Sequence, residues 1–243
     1  MRVIVVNDNL DEAEALVHRL RRRGHQADHK RRAADLLVAH HRYHAAILDL
    51  ELPDMPGLEA LRKLREVSSM SVLVLTADSD ERSVVRALRS GADDYLVKPP
   101  RIGELAARLH AIARRAPAAH QNLTPTKTVV AGDVRVDLLA GMVEVAGRPV
   151  QLTPVEFELL RELVERPGAA VSRQQLLDRI WGDAFVGVSH ALYVHITRLR
   201  TKLNRPGLIT TIHSYGYRWN PEAAAPGAVI PAALPALATS GSR

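Results

Sequence analysis

A chain of 243 residues, 47% hydrophobic and 25% charged, is long enough for two ordinary cores and has the composition of a soluble globular protein rather than a disordered one. It holds no cysteine, which excludes disulfides and thiolate metal sites, and no window of roughly 18 apolar residues that would cross a bilayer. No secretory signal opens it, so a cytoplasmic location without a membrane partner is expected. The net charge of +6 is unevenly spread: residues 1–116 carry twenty Lys and Arg against seventeen Asp and Glu, whereas residues 184–220 carry five basic residues, three histidines and no acid. The second segment is where an anion would dock.

Short apolar runs open the chain at Val3-Ile-Val-Val6 and recur at Ala45-Ala-Ile-Leu48, Val72-Leu-Val-Leu75 and Tyr95-Leu-Val97, with a weaker strand near His25 to His29. Amphipathic segments lie between them, marked by Leu58, Leu61, Leu64 and Val67, or by Val84, Val85 and Leu88. Strands apolar on both faces and alternating with helices predict an α/β doubly wound, five-stranded parallel sheet over residues 1–116. Residues 117–128 read as a linker, with prolines and few packable side chains.

A second domain is expected over residues 129–220. Val134-Arg-Val136 and Met142-Val-Glu-Val145, broken by Gly132, Gly141 and Gly147, read as strands and turns. Thr153-Pro-Val-Glu156 is a helix start, with a hydroxyl cap, proline at the first helical position and glutamate three residues after the cap. Phe157, Leu160, Leu163 and Val164 form its apolar face, and Pro167-Gly168 ends it. Ser172-Arg-Gln-Gln175 repeats the capping box before Leu176, Leu177 and Ile180, a third helix runs from Ser189 to about Leu203, and residues 210–219 read as a hairpin. Strands, three helices and a hairpin predict an α+β winged-helix domain. Residues 221–243, mostly Ala and Pro with prolines at 221, 226, 231 and 235, read as a disordered tail.

In an open parallel sheet, ligands bind outside the carboxyl ends of the strands. That rule selects Asp8 after the first strand, Asp49 at the end of the third, Thr76 after the fourth and Lys98 after the fifth. Carboxylates with a nearby carbonyl suit Mg²⁺, and a carboxylate can also attack a phosphoryl group while lysine and hydroxyl hold its oxygens. On the helix from Ser189, Leu192, Ile196, Leu199 and Leu203 share one face and pack inward. The other face carries His190, Val194, Thr197, Arg198 and Thr201, flanked by His195 and Arg200, a set suited to a major groove. Arg200, Lys202, Arg205 and Arg218 are expected to meet phosphate. Arg21-Arg-Arg23 and Lys30-Arg-Arg32 read as solvated charge, and His40, His41 and His44 lack the spacing of a metal site.

These residues carry a resemblance. Leu48-Asp-Leu-Glu-Leu-Pro-Asp-Met-Pro-Gly57, Leu75-Thr-Ala77 and Gly91-Ala-Asp-Asp-Tyr-Leu-Val-Lys-Pro99 resemble the receiver domain of a two-component response regulator. Leu152-Thr-Pro-Val-Glu-Phe-Glu-Leu-Leu160, Ser172-Arg-Gln-Gln-Leu-Leu177 and Tyr215-Gly-Tyr-Arg218 resemble the DNA-binding domain of the OmpR/PhoB family. The resemblance implies a non-enzymatic, sequence-specific transcriptional regulator whose Asp49 accepts a phosphoryl group from a sensor histidine kinase. It implies that Asp8 and Asp49 bind Mg²⁺ with the main-chain carbonyl of Glu51, that Thr76 and Lys98 hold the phosphate, and that Tyr95 swings inward when Thr76 moves. The Lys98-Pro99 bond is expected cis. Double-stranded DNA, a homodimer on that DNA and contact with RNA polymerase follow from it, with His213 and Arg218 on the wing joining the helix residues at the duplex.

Three departures stand out. Asn7 replaces a second acid that usually reaches the metal through water; its amide is expected to accept from that water, with weaker Mg²⁺ binding. The usual aromatic after Lys-Pro is Pro100. Asp94 and Arg108 match one ion pair of the family's activated dimer, whereas the usual partners of Glu104 and Arg89 appear as Val84 and His110. Two other readings stay open: an atypical regulator that works without phosphorylation, through ligand binding or constitutive dimerisation, and a metal-dependent phosphohydrolase using Asp49. The second needs a separate acid, and Leu50, Leu52 and Pro53 offer none near Asp49.

Overall fold

The computed structural model describes residues 1–78, 80–113, 128–182 and 189–224. The expected linker, apart from Thr128, and the expected tail after residue 224 lie outside these residues.

The first half alternates strand and helix: β1 (Arg2–Val6), α1 (Leu10–Arg21), β2 (Gln26–Lys30), α2 (Ala33–Ala39), β3 (Ala45–Asp49), α3 (Gly57–Val67), β4 (Ser71–Thr76), α4 (Glu81–Ser90), β5 (Asp94–Val97) and α5 (Ile102–Ala113). A short 3-10 turn, His40–Arg42, follows α2. All pairings are parallel in the order β2-β1-β3-β4-β5, so the sheet is the doubly wound one predicted. Every residue of β3 and β4 is buried, because helices cover both faces. β2 was the weak strand in the sequence for a physical reason: it is an edge, and of its five residues only Ala27 is fully buried.

Helix starts are supplied locally in two cases and from a distance in one. Asn9 accepts from the Glu12 N–H to cap α1, and Asp80 accepts from Arg82 and Ser83 to cap α4. Arg32 precedes α2 and cannot cap it; Asp54, from the β3–α3 loop, takes the Ala33 and Ala34 N–H groups instead, each at 2.9 Å. Burial opposes the Asp54 charge, but these two N–H groups outweigh it and hold its pKa below the ordinary value.

The second half opens with an antiparallel sheet, β6 (Thr128–Ala131), β7 (Val134–Asp137), β8 (Met142–Val145) and β9 (Arg148–Pro149). Then come α6 (Pro154–Val164), β10 (Ala170–Ser172), α7 (Arg173–Trp181), α8 (Ser189–Leu203), β11 (Ile209–Ile212) and β12 (Gly216–Trp219). Both predicted capping boxes form, at Thr153 with Glu156 and at Ser172 with Gln175. β10 is an element the sequence reading missed, since three residues between a helix stop and a helix cap are too short to show a period; it pairs with β12, making the hairpin a three-stranded sheet. Two boundaries also move: β6 begins at Thr128, inside the expected linker, and Pro221–Ala224, the start of the expected tail, forms a 3-10 turn.

The two halves pack against each other through α4 on α8 and α5 on α6 and α7. Buried residues of both contribute to one continuous hydrophobic cluster.

Candidate functional site: the sheet rim and the docked helix

Asp49 is the last residue of β3 and is only 2% exposed. Its Oδ1 accepts from the Glu51 N–H at 3.1 Å, while Oδ2 lies in ion-pair contact with Lys98 Nζ without the geometry of a hydrogen bond. Lys98 follows β5, and its N–H donates to the Thr76 carbonyl at 2.8 Å, which ties the end of β5 to the end of β4. Thr76 is buried, and its Oγ1 accepts from the Asp78 N–H at 3.1 Å. Parallel register thus brings Asp49, Thr76 and Lys98 together, as the strand-end rule selects them. Burial opposes the Lys98 charge, but Asp49 and then Glu12 outweigh it and raise its pKa above the ordinary lysine value.

Asp8 and Glu51 are exposed at the same edge, beyond the ends of β1 and β3. Tyr95 on β5 is half-buried, with its pKa raised by burial and then by the adjacent Asp94 carboxylate. The Lys98-Pro99 bond is cis. Among the described residues no group of three or more His, Cys, Asp or Glu side chains closes on a common point. The rim's donor set is smaller and consists of oxygens only, the Asp8 and Asp49 carboxylates with the Glu51 carbonyl, which fits an ion that keeps several waters, such as Mg²⁺.

Asn7 departs from its expected part. It is buried, its Oδ1 accepts from the Asn9 N–H at 2.8 Å, and its Nδ2 donates to Glu12 Oε2 at 3.2 Å. The turn into α1 thus engages the Asn7 oxygen and points its donor at a carboxylate. Glu12 was missed by sequence reasoning; the available signal was an acid in the first turn of the helix that leaves the rim.

In α8, Leu192, Ile196, Leu199 and Leu203 are buried, as their spacing predicts. The opposite face is divided, and here the expected free surface needs correction. Val194 and His195 are also buried, and His195 Nε2 lies 3.0 Å from the carbonyl of Asp93 in the first domain. Arg198 donates to the Leu88 carbonyl near the end of α4 at 3.0 Å and pairs with Glu156 Oε1 at 3.2 Å. α4 packs against α8, and Arg198 and His195 meet carbonyls within and just beyond it, those of Leu88 and Asp93. Tyr193, Thr197 and Thr201 remain exposed, while the side chain of His190 lies outside the described residues.

Three of the four expected phosphate-binding cations are occupied within the second domain. Arg200 donates to the Ile209 carbonyl and to Thr211 Oγ1, both at 2.9 Å, and lies over the Tyr217 ring. Lys202 holds Glu156 at 2.6 Å, and Arg205 grips Asp133. His213 is exposed on the wing and Arg218 is half-buried, its Nε without a hydrogen-bond partner.

Charges converge where the domains meet. Glu156 is fully buried; desolvation opposes its charge, but Arg198 and Lys202 outweigh it and lower its pKa. Asp93 is pushed up by burial against the pull of Arg65, which reaches it at 2.9 Å from the end of α3. Asp94 and Arg108, which match one ion pair of the family's activated dimer, pair within the first domain at 3.0 Å and are both buried, with Glu104 on the same guanidinium at 2.8 Å.

Comparison with known proteins supplies the context for this geometry. Residues 3–110 match the family described as "Response regulator receiver domain", and residues 147–219 match "Transcriptional regulatory protein, C terminal". The KDP operon transcriptional regulatory protein KdpE of Escherichia coli is 43% identical over 177 residues, covering 71% of this chain and 77% of that protein. The transcriptional regulatory protein AfsQ1 of Streptomyces coelicolor is 36% identical over 225 residues, 90% of this chain and 98% of that one. The DNA-binding response regulator MtrA of Mycobacterium tuberculosis is 34% identical over 226 residues, 90% and 97% of the respective chains. Among solved structures, a RitR variant superposes with a TM-score of 0.74 at 23% identity, covering 90% of this chain and 98% of that one, which is a likeness of fold.

Proposed function

This chain belongs to the two-component response regulators of the OmpR/PhoB family, and we propose that phosphoryl transfer to Asp49 controls when its DNA-binding domain is free to act. The chain is a DNA-binding regulator of transcription with a receiver domain. The observation that carries the proposal is the rim itself: a buried carboxylate at a strand end, in contact with one ammonium and beside a threonine at the end of the next strand. An Asp49 carboxylate oxygen attacks the phosphorus of a phosphohistidine on the sensor kinase; the P–O bond forms as the P–N bond breaks, and the imidazole leaves with a proton from water. Lys98 pairs with the transferred group, and the Thr76 hydroxyl donates its O–H to a phosphoryl oxygen. Mg²⁺ held by Asp8, Asp49 and the Glu51 carbonyl would neutralise charge on the phosphoryl oxygens.

The receiver covers residues 1–116 and the winged-helix domain residues 128–220 in this reading. The protein is a non-enzymatic factor of the cytoplasm that acts on double-stranded DNA as a homodimer and meets RNA polymerase there. Unphosphorylated, the receiver holds Val194, His195 and Arg198 of α8 away from DNA, and phosphorylation loosens α4 from α8. Tyr193, Thr197 and Thr201, with His190, His213 and Arg218, complete the DNA surface once the receiver withdraws.

Incubation of the full chain with Mg²⁺ and a small phosphodonor, followed by intact mass and a DNA-binding titration, tests this. One phosphoryl group should be gained, absent from Asp49→Asn, with DNA affinity rising in parallel. No gain, or a gain that persists in Asp49→Asn, would overturn the assignment.

A further inference from the structure

Glu12 stands at the rim in a place that phosphoryl transfer to Asp49 leaves unexplained. Its Oε2 lies 3.2 Å from Asn7 Nδ2 and 3.5 Å from Lys98 Nζ, so it closes a chain of contacts running from Asn7 through Glu12 and Lys98 to Asp49. Its backbone is fixed in the first turn of α1, where its N–H donates to the capping Asn9.

The two residues fit each other chemically. Asn7 is 1% exposed, its oxygen accepts from the Asn9 N–H, and its amide nitrogen is the group it turns toward Glu12. A donor suits a carboxylate, whereas an aspartate at position 7 would set two like charges against each other. The charge balance points the same way. Asp8, Asp49 and Lys98 together carry one formal negative charge, the Glu51 carboxylate lies exposed at the same edge, and Glu12 adds to them.

On the reading that Asp49 is a phosphoacceptor served by a divalent cation, we infer that Asn7 and Glu12 are a matched pair. Asn7 aims the Glu12 carboxylate, and Glu12 supplies from outside the ligand shell the negative charge that attracts the cation and keeps Lys98 beside Asp49. An exposed ion pair alone is worth little, and Glu12 is half exposed. Its attraction for a dication several ångströms away does not depend on that pair: across water, one charge at such a distance changes affinity roughly three- to tenfold at low salt.

The test is a Mg²⁺ titration of the full-length protein at low ionic strength, by calorimetry or amide chemical shifts, on wild type, Glu12→Gln, Asn7→Asp and the double variant. Thermal melts check that each is folded. Glu12→Gln should weaken Mg²⁺ roughly three- to tenfold, and adding Asn7→Asp to it should bring affinity back to within about twofold of wild type. Asn7→Asp should tighten binding more in the Glu12→Gln background than in wild type, because only there does the new carboxylate lack a like charge beside it. Wild-type affinity in Glu12→Gln, or an equal effect of Asn7→Asp in both backgrounds, overturns the matched pair. Asp8→Asn separates the two levels of failure. If it weakens Mg²⁺ while Glu12→Gln does not, the pair alone is wrong; if no variant changes Mg²⁺ binding, the cation-served phosphoacceptor falls with it.

Discussion

Gly57 opens α3 against the strand end that carries Asp49: a Cβ built there would lie 2.5 Å from the Asp49 carbonyl oxygen and 2.6 Å from Leu50 Cα. Neither is the end of a flexible side chain, so the backbone of the rim must move. Gly57→Ala should cost about 1–3 kcal/mol in urea denaturation and slow the gain of phosphate with it. A second residue-level prediction concerns DNA phosphates. Arg205 is already paired with Asp133, whereas the half-buried Arg218 guanidinium has no ion-pair partner among the described residues. Arg218→Ala should therefore reduce the slope of log K against log salt by about 0.9, and Arg205→Ala should leave the slope unchanged. Asp8, Asp49, Thr76 and Lys98 were legible because strand ends in a parallel sheet share one rim. Glu12 was not, because its part depends on how far a helical side chain reaches back over that rim.

Glu156 shows one residue doing work for two elements. It completes the capping box of α6, with Oε2 accepting from the Thr153 N–H at 2.9 Å, and the same carboxylate anchors α8 through Arg198 and Lys202. Its folded pKa lies below the ordinary 4.5, so its contribution is complete above 4.5 and is lost as pH falls through the lower folded value. Asp93 runs the opposite way: its folded pKa is raised above 3.8, so keeping it charged costs stability at neutral pH, and that cost disappears as pH falls through the raised value. Denaturation followed downward in pH should show a gain from Asp93 and a loss from Glu156. Glu156→Ala should cost about 3 kcal/mol at neutral pH, since it leaves Arg198 without its buried partner, and should remove the acid loss. The capping box was readable from Thr153-Pro-Val-Glu156; the grip on α8, 42 residues or more further on, had no local signature.

At the scale of the molecule, the receiver and the winged-helix domain share a hydrophobic cluster and an ionic one, and α8 lies in the contact. Trp181 reports on that contact. Its ring lies 5.9 Å from the ring of His195, which reaches the Asp93 carbonyl of the receiver. In a Trp219→Phe background, Mg²⁺ with phosphodonor should shift Trp181 emission toward that of a hydrated indole, with the same time course as the gain of phosphate. An unchanged spectrum alongside full phosphorylation would mean that α8 stays docked.

The sequence by itself determined the two fold classes, the capping boxes, the rim residues and the inward stripe of α8, because each is written in a local period or at a strand end. Only the tertiary structure decided that Asn7 turns its donor to Glu12, that Asp94 and Arg108 pair within one domain, and which part of α8 stays open. A helix's own core leaves an apolar stripe along the sequence. Contacts from the other domain engage His195 and Arg198 through the backbone carbonyls of Asp93 and Leu88, and such contacts have no period to read.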